Sequence, residues 1–179
     1  MDNLSKEQII KDYLKKQIEL YKNEADADFD NEYFNEQWIE ETLKKIMVYD
    51  KVSDKVSEWA KKDEYFCTMS NLETQILSII LYYVLKISTK RYDFTKNEKA
   101  DIIEKYLKKQ LDEHKTDEDF NEELYENWVD DWLSSAAENE LLGNAILQWA
   151  HEDKKWETIS EFDGLLWSFL TGCAQMETR

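Results

Sequence analysis

The sequence predicts an all-α protein. The chain has 179 residues, no proline and three glycines, and both residue types are avoided inside helices but used freely in the turns of sheet proteins. Hydrophobic residues make up 42% of the chain and include seven tryptophans. A chain this apolar is expected to fold despite its net charge of −17. Its length suits one domain or two small ones.

An internal repeat predicts that the chain arose by tandem duplication. Residues 9–17 and 102–110 are identical at seven of nine positions when they are aligned at an offset of 93. Further along the chain the offset becomes 90, and Trp38 then corresponds to Trp128. We therefore expect two helical repeats, in residues 1–88 and 89–179, that pack around a shared core as one pseudo-twofold unit.

Each repeat contains about four segments with helical periodicity. The helices are expected at residues 6–22, 31–48, 53–62 and 71–87 in the first repeat and at 96–114, 121–136, 140–151 and 161–174 in the second.

Capping sequences mark several of these helix starts. Ser5 and Thr95 are each followed three residues later by Gln or Glu, which is the pattern of a capping box. Ser70 and Ser160 are expected to cap the fourth helices in the same way. The fourth helix of the first repeat is apolar nearly all round between residues 76 and 87, so we expect it to be buried centrally.

The negative charge is concentrated in two equivalent stretches. Residues 24–41 and residues 116–131 each contain eight acidic side chains and no Lys or Arg. These stretches hold 16 of the 40 acidic residues, and the other 24 nearly balance the 23 Lys and Arg. Almost all of the net charge therefore lies in two short segments.

Four acidic positions recur in both stretches, and the first three are spaced i, i+4, i+8, which predicts one face of a helix. The opposite face is expected to point inward, through Phe34, Trp38 and Leu43 or through Leu124, Trp128 and Leu133. The candidate partner-binding residues are Asp28, Asp30, Glu32, Glu36, Glu40 and Glu41 in the first repeat and Asp117, Asp119, Glu122, Glu126, Asp130 and Asp131 in the second.

Two interpretations of these carboxylates stay open. Along an ideal helix, Glu32 to Glu41 would span about 13.5 Å, with a charge spacing close to the ~3.4 Å of one DNA strand. Such a surface would resemble a phosphate backbone to a basic partner. Alternatively, the carboxylates form a solvated face that is favoured by the dipole at a helix N-terminus.

Several function classes are disfavoured by composition. An acidic chain with two arginines is not expected to bind nucleic acid or an anionic membrane directly. Its longest apolar run is too short to span a bilayer, and its N-terminus does not resemble a signal peptide, so a cytoplasmic location is expected. With two histidines and no glycine-rich loop, we expect no enzyme activity, no cofactor and no metal centre.

The remaining hypothesis is a non-enzymatic acidic inhibitor that presents its carboxylates to a basic protein. In its most concrete form it is a nucleic-acid mimic that blocks a DNA- or RNA-binding enzyme, as antirestriction and anti-CRISPR proteins do. One alternative is an immunity protein or antitoxin that neutralises a basic toxin. Another is a structural or scaffold subunit of an oligomer, and a homo-oligomer is compatible with each of these.

Overall fold

The all-α prediction is confirmed. The computed structural model describes residues 4–24, 29–118 and 120–177, and these residues form eight α-helices and no β-strand. The helices are α1 (Lys6–Asn23), α2 (Glu36–Met47), α3 (Asp50–Lys61), α4 (Met69–Ser88), α5 (Lys96–His114), α6 (Trp128–Glu138), α7 (Glu140–His151) and α8 (Ile159–Glu177).

α2 and α6 begin later than the sequence suggested, at Glu36 rather than 31 and at Trp128 rather than 121. Before each helix, a side-chain oxygen of Asp30 or Asn121 accepts hydrogen bonds from the backbone N–H groups two and three positions later. These Asx turns compete with helix formation for the same donors. The helical periodicity of the sequence therefore extends into segments whose backbone forms turns.

α4 and α8 begin slightly earlier than predicted, at Met69 and Ile159. The hydroxyls of Thr68 and Thr158 accept the backbone N–H groups of the residues three positions later. The expectation that Ser70 and Ser160 cap these helices was therefore wrong, because both serines lie inside the first turn. A threonine two residues upstream satisfies the free donors of each helix start.

The chain divides into two compact units. The first comprises Met1–Tyr83 and Ser168–Arg179, and the second comprises Val84–Trp167. One border falls within α4 and the other within α8. The final segment of α8 thus belongs to the first unit, and the border in α4 lies slightly before residue 88.

In the first unit, α1 packs against both α2 and α3, and these two helices also contact each other. α4 contributes its buried face to the same hydrophobic core through Leu72, Ile76 and Ile79. The final segment of α8 packs on α4, where the ring of Phe169 lies 5.9 Å from that of Tyr82.

α4 is only half-buried, which corrects the expectation of a central helix. Leu77 is 47% exposed and Ile87 is also exposed, since the buried residues follow one face of the helix. Among the described residues, no helix combines the length and hydropathy needed to cross a bilayer.

In the second unit, α5, α6 and α7 pack against one another, and an aromatic cluster forms around Phe162 of α8. Phe162 is fully buried. The rings that surround it, with centroid separations of 4.7 to 6.0 Å, belong to Tyr106, Trp128, Trp149 and Trp156. This cluster holds the start of α6 against the core through Trp128.

Candidate acidic interaction surface

The candidate residues lie on the surfaces of the two units. We call Glu32, Glu36, Glu40 and Glu41 the first acidic stripe, and Glu122, Glu126, Asp130 and Asp131 the second acidic stripe. All eight side chains are exposed, as is Asp30, whereas Asp117 is half-buried. Asp28 and Asp119 lie outside the described residues.

Neither stripe lies wholly on a helix, so the expectation of one continuous helical face was wrong. Glu32, Glu122 and Glu126 precede their helices, in the turns that Asp30 and Asn121 stabilise. The other five stripe residues lie on α2 or α6. Helical geometry therefore does not give the distances between all the charges of a stripe.

The apolar side beneath the stripes was predicted well, except at Leu124 and at Leu133, which is only half-buried. Phe34, Trp38, Leu43 and Trp128 are buried. Leu124 is 69% exposed, because it lies in the turn before α6 rather than on a helix. A large apolar side chain thus lies exposed within the second acidic stretch.

Two indole groups fix α6 to α8 in the second unit. Trp128 Nε1 and Trp132 Nε1 donate to the same carboxylate oxygen of Asp163, at 2.8 and 3.1 Å. In the first unit, Trp38 Nε1 donates to Glu73 at 2.5 Å. These hydrogen bonds position the helices that carry the stripes.

The first acidic stripe is partly neutralised by lysines of α1. Lys11 Nζ lies 2.6 Å from Glu40 Oε1, and Lys15 Nζ lies 3.9 Å from Glu36 Oε1. The hydrogen bond and charge of Lys11 lower the pKa of Glu40, and Glu40 raises the pKa of Lys11. Two of the four charges in this stripe therefore have cationic partners within the chain.

The second acidic stripe lacks such ion pairs to lysines within the described residues. At the offset of 93, Lys11 corresponds to Glu104, and Lys15 corresponds to Lys108. Lys108 Nζ binds Glu104 at 2.7 Å. Among the described residues, no ion pair is formed by any of the four carboxylates of the second stripe, which are Glu122, Glu126, Asp130 and Asp131.

The two lysines that interact electrostatically with the second stripe form their ion pairs with acids outside it. The hydrogen bond and charge of Glu104 raise the pKa of Lys108, with a smaller contribution from Asp130. Asp112 likewise raises the pKa of Lys115 and lies 2.8 Å from it. Both lysines near the second stripe are therefore ion-paired to acids outside it, with weaker interactions with Asp130 and Glu122.

In the part of the chain that the structure describes, no three His, Cys, Asp or Glu side chains are grouped so as to hold a metal ion. No protein family, curated protein or solved structure matches the chain.

Proposed function

We propose that the chain is a non-enzymatic acidic binding protein whose second acidic stripe contacts a basic partner. The observation that carries this proposal is the absence, within the described residues, of an ion pair to any of the stripe's four exposed carboxylates. The helix dipole accounts for Asp130 and Asp131 in the first turn of α6. It does not account for Glu122, which lies six residues before the helix.

In its specific form, the partner is a DNA- or RNA-binding enzyme whose basic groove the stripe occupies in place of nucleic acid. An unneutralised anionic surface attracts a cationic groove over a distance of about 10 Å at moderate salt. Leu124, exposed within the same stretch, adds an apolar contact that a phosphate backbone does not offer. Such an inhibitor would act in the cytoplasm, where these enzymes meet nucleic acid.

We further propose that the two halves arose by duplication and that their functions have diverged. Equivalent hydrogen bonds in the two units support this idea. Tyr13 and Tyr106 each donate to a backbone carbonyl before the fourth helix of their half. Asp63 and Asp153 each have a positive φ, of 50° and 49°, at corresponding positions. α1 and α5 depart from this likeness where Lys11 aligns with Glu104.

The experiment is a pull-down from the native host at low salt with immobilised protein. The test variant is Glu126→Lys/Asp130→Lys, and the matched control is Glu36→Lys/Glu40→Lys in the first stripe. We expect the test variant to lose the captured protein and the control to retain most of it. Equal capture by all three proteins would refute a role for the second stripe.

Elution with duplex DNA or RNA then identifies the class of partner. A captured enzyme that nucleic acid displaces supports the mimic. A captured toxin that nucleic acid does not displace supports an immunity protein instead. Self-association that is unaffected by salt supports a scaffold subunit.

A further inference from the structure

A cleft of about 380 Å³ opens between α5, α6 and α7 in the second unit. Its walls are largely apolar, and its volume lies in the range of small-molecule sites, roughly 300 to 1,000 Å³. The apolar lining residues are Ala100, Ile103, Leu133, Ala136, Ala137 and Gly143.

The corresponding positions of the first unit carry larger side chains. At an offset of 90, Ala136 and Ala137 correspond to Ile46 and Met47. Ile46 is fully buried, and Met47 packs against the same core. The second unit has two alanines in their place, and the cleft lies beside them.

The polar residues of this region also differ between the units. In the first unit, Lys6 Nζ binds Asp54 at 2.5 Å. Its counterparts are Lys99, at an offset of 93, and Asn144, at an offset of 90. An amide cannot form this ion pair. Within the described ranges, Lys99 has no ion pair at all.

Asn144 lines the cleft and carries an unpaired acceptor that is shielded from solvent. The residue is 5% exposed, and its Oδ1 atom has no hydrogen-bond partner among the described residues. Buried polar atoms are normally hydrogen-bonded, because desolvation without a partner is unfavourable. Two cations, Lys96 and Lys99, line the same cleft, and its one acidic residue, Glu140, is paired with Arg91 at 3.4 Å.

We propose that this cleft binds a small amphipathic anion that carries an N–H or O–H donor. The anionic group would lie at Lys96 and Lys99, and the apolar body would contact Leu133 and Ala136. A rotation of the Asn144 side chain toward the cleft would let Oδ1 accept a hydrogen bond from this donor. This site is separate from the acidic stripes and does not depend on their function.

The test is a fluorescence titration of the full chain with 1-anilinonaphthalene-8-sulfonate, a probe with a sulfonate, apolar rings and one N–H. We expect saturable binding of one probe per chain. Ala137→Met, which introduces the residue found in the first unit, is expected to weaken binding about tenfold or more by filling the cleft. Saturation at several probes per chain would overturn the proposal, as would the absence of binding.

A pair of lysine variants provides a second test in case Ala137→Met disturbs folding. Lys99→Ala removes a cation of the site, and Lys61→Ala removes an exposed lysine of α3 with the same change in net charge. We expect Lys99→Ala to weaken binding about fivefold and Lys61→Ala to leave it unchanged. Equal affinities for the two variants would overturn the proposal.

Discussion

Lys11 Nζ lies 2.6 Å from Glu40 Oε1, in an ion pair that joins α1 to α2. The equivalent positions in the second unit are Glu104 and Asp130, two acids. The first unit thus has an ion pair where the aligned positions of the second unit are both acidic. This difference distinguishes two acidic stretches that carry the same number of charges.

A charge reversal at Glu104 tests whether the acid in place of Lys11 matters for binding. Glu104→Lys should place a cation near Asp130 and weaken capture of the basic partner several-fold at low salt. The matched control is Glu113→Lys, which makes the same charge change at an exposed position of α5, whereas Glu104 is half-buried. The amount of partner captured by the immobilised protein should decrease in the order wild type, Glu113→Lys, Glu104→Lys. Equal effects of the two variants would show that only net charge matters.

The two glycines of α8 are expected to respond oppositely to alanine. A Cβ at Gly172 would overlap the carbonyl oxygen of Ser78, whereas a Cβ at Gly164 meets no atom within 4 Å. Gly172→Ala should lower the free energy of unfolding by about 1–3 kcal/mol through steric overlap. Gly164→Ala should raise it by about 0.5–1 kcal/mol through helix propensity.

Urea unfolding followed by circular dichroism measures both changes. The Gly172 variant tests the packing of the last segment of α8 against α4 within the first unit. If both alanine variants were equally stable, this close approach would be absent in solution.

Asp163 is expected to stabilise the second unit through its two indole hydrogen bonds. Asp163→Leu would leave the N–H groups of Trp128 and Trp132 without their acceptor, and should cost about 2–4 kcal/mol of unfolding free energy. Asp163→Asn retains an acceptor oxygen and should cost less. Chemical denaturation followed by tryptophan fluorescence compares the two, and equal losses would contradict the hydrogen-bonding role.

Tyr106 should make stability fall at alkaline pH. Burial raises its pKa to about 12 from an ordinary value of 10.0, so between these values the folded state binds more protons than the unfolded state. Its contribution is complete below pH 10.0 and is lost as the pH rises through about 12. Tyr106→Phe should therefore reduce the slope of unfolding free energy against pH in this window. An unchanged slope would contradict the buried phenol.

The same substitution removes two hydrogen bonds at neutral pH. Tyr106 Oη donates to the carbonyl of Lys154 at 2.7 Å and accepts from Trp156 Nε1 at 3.1 Å. We expect Tyr106→Phe to lower the unfolding free energy at pH 7 by about 1–3 kcal/mol. Equilibrium urea unfolding at that pH measures the loss, and a neutral substitution would contradict these contacts.

Local signals predicted much of the fold. The capping box of Thr95 and Glu98 forms as expected, and α7 spans the residues that its periodicity indicated. Helix starts at α2 and α6 were missed because Asp30 and Asn121 offer side-chain acceptors that compete with the helix. Such competition leaves hydrophobic periodicity unchanged, so periodicity alone does not reveal it.

The candidate surface was predicted only in part, because its charge balance depends on tertiary contacts. The exposure of the acids follows from the buried tryptophans beside them. The pairing of Glu40 with Lys11 joins residues on different helices, and spacing within α2 carries no information about it. The sequence does contain one signal, since Lys11 aligns with Glu104 at the offset of 93 and Glu40 aligns with Asp130 at the offset of 90.

The most direct test of the second acidic stripe is the association rate of the captured partner as a function of salt. In stopped-flow measurements, wild type and the first-stripe variant Glu36→Lys/Glu40→Lys should associate rapidly at low salt and slow steeply as salt rises. The second-stripe variant Glu126→Lys/Asp130→Lys should associate about tenfold or more slowly at low salt and depend little on salt. Identical rates and salt dependences for all three proteins would contradict the claim that this stripe binds a basic partner.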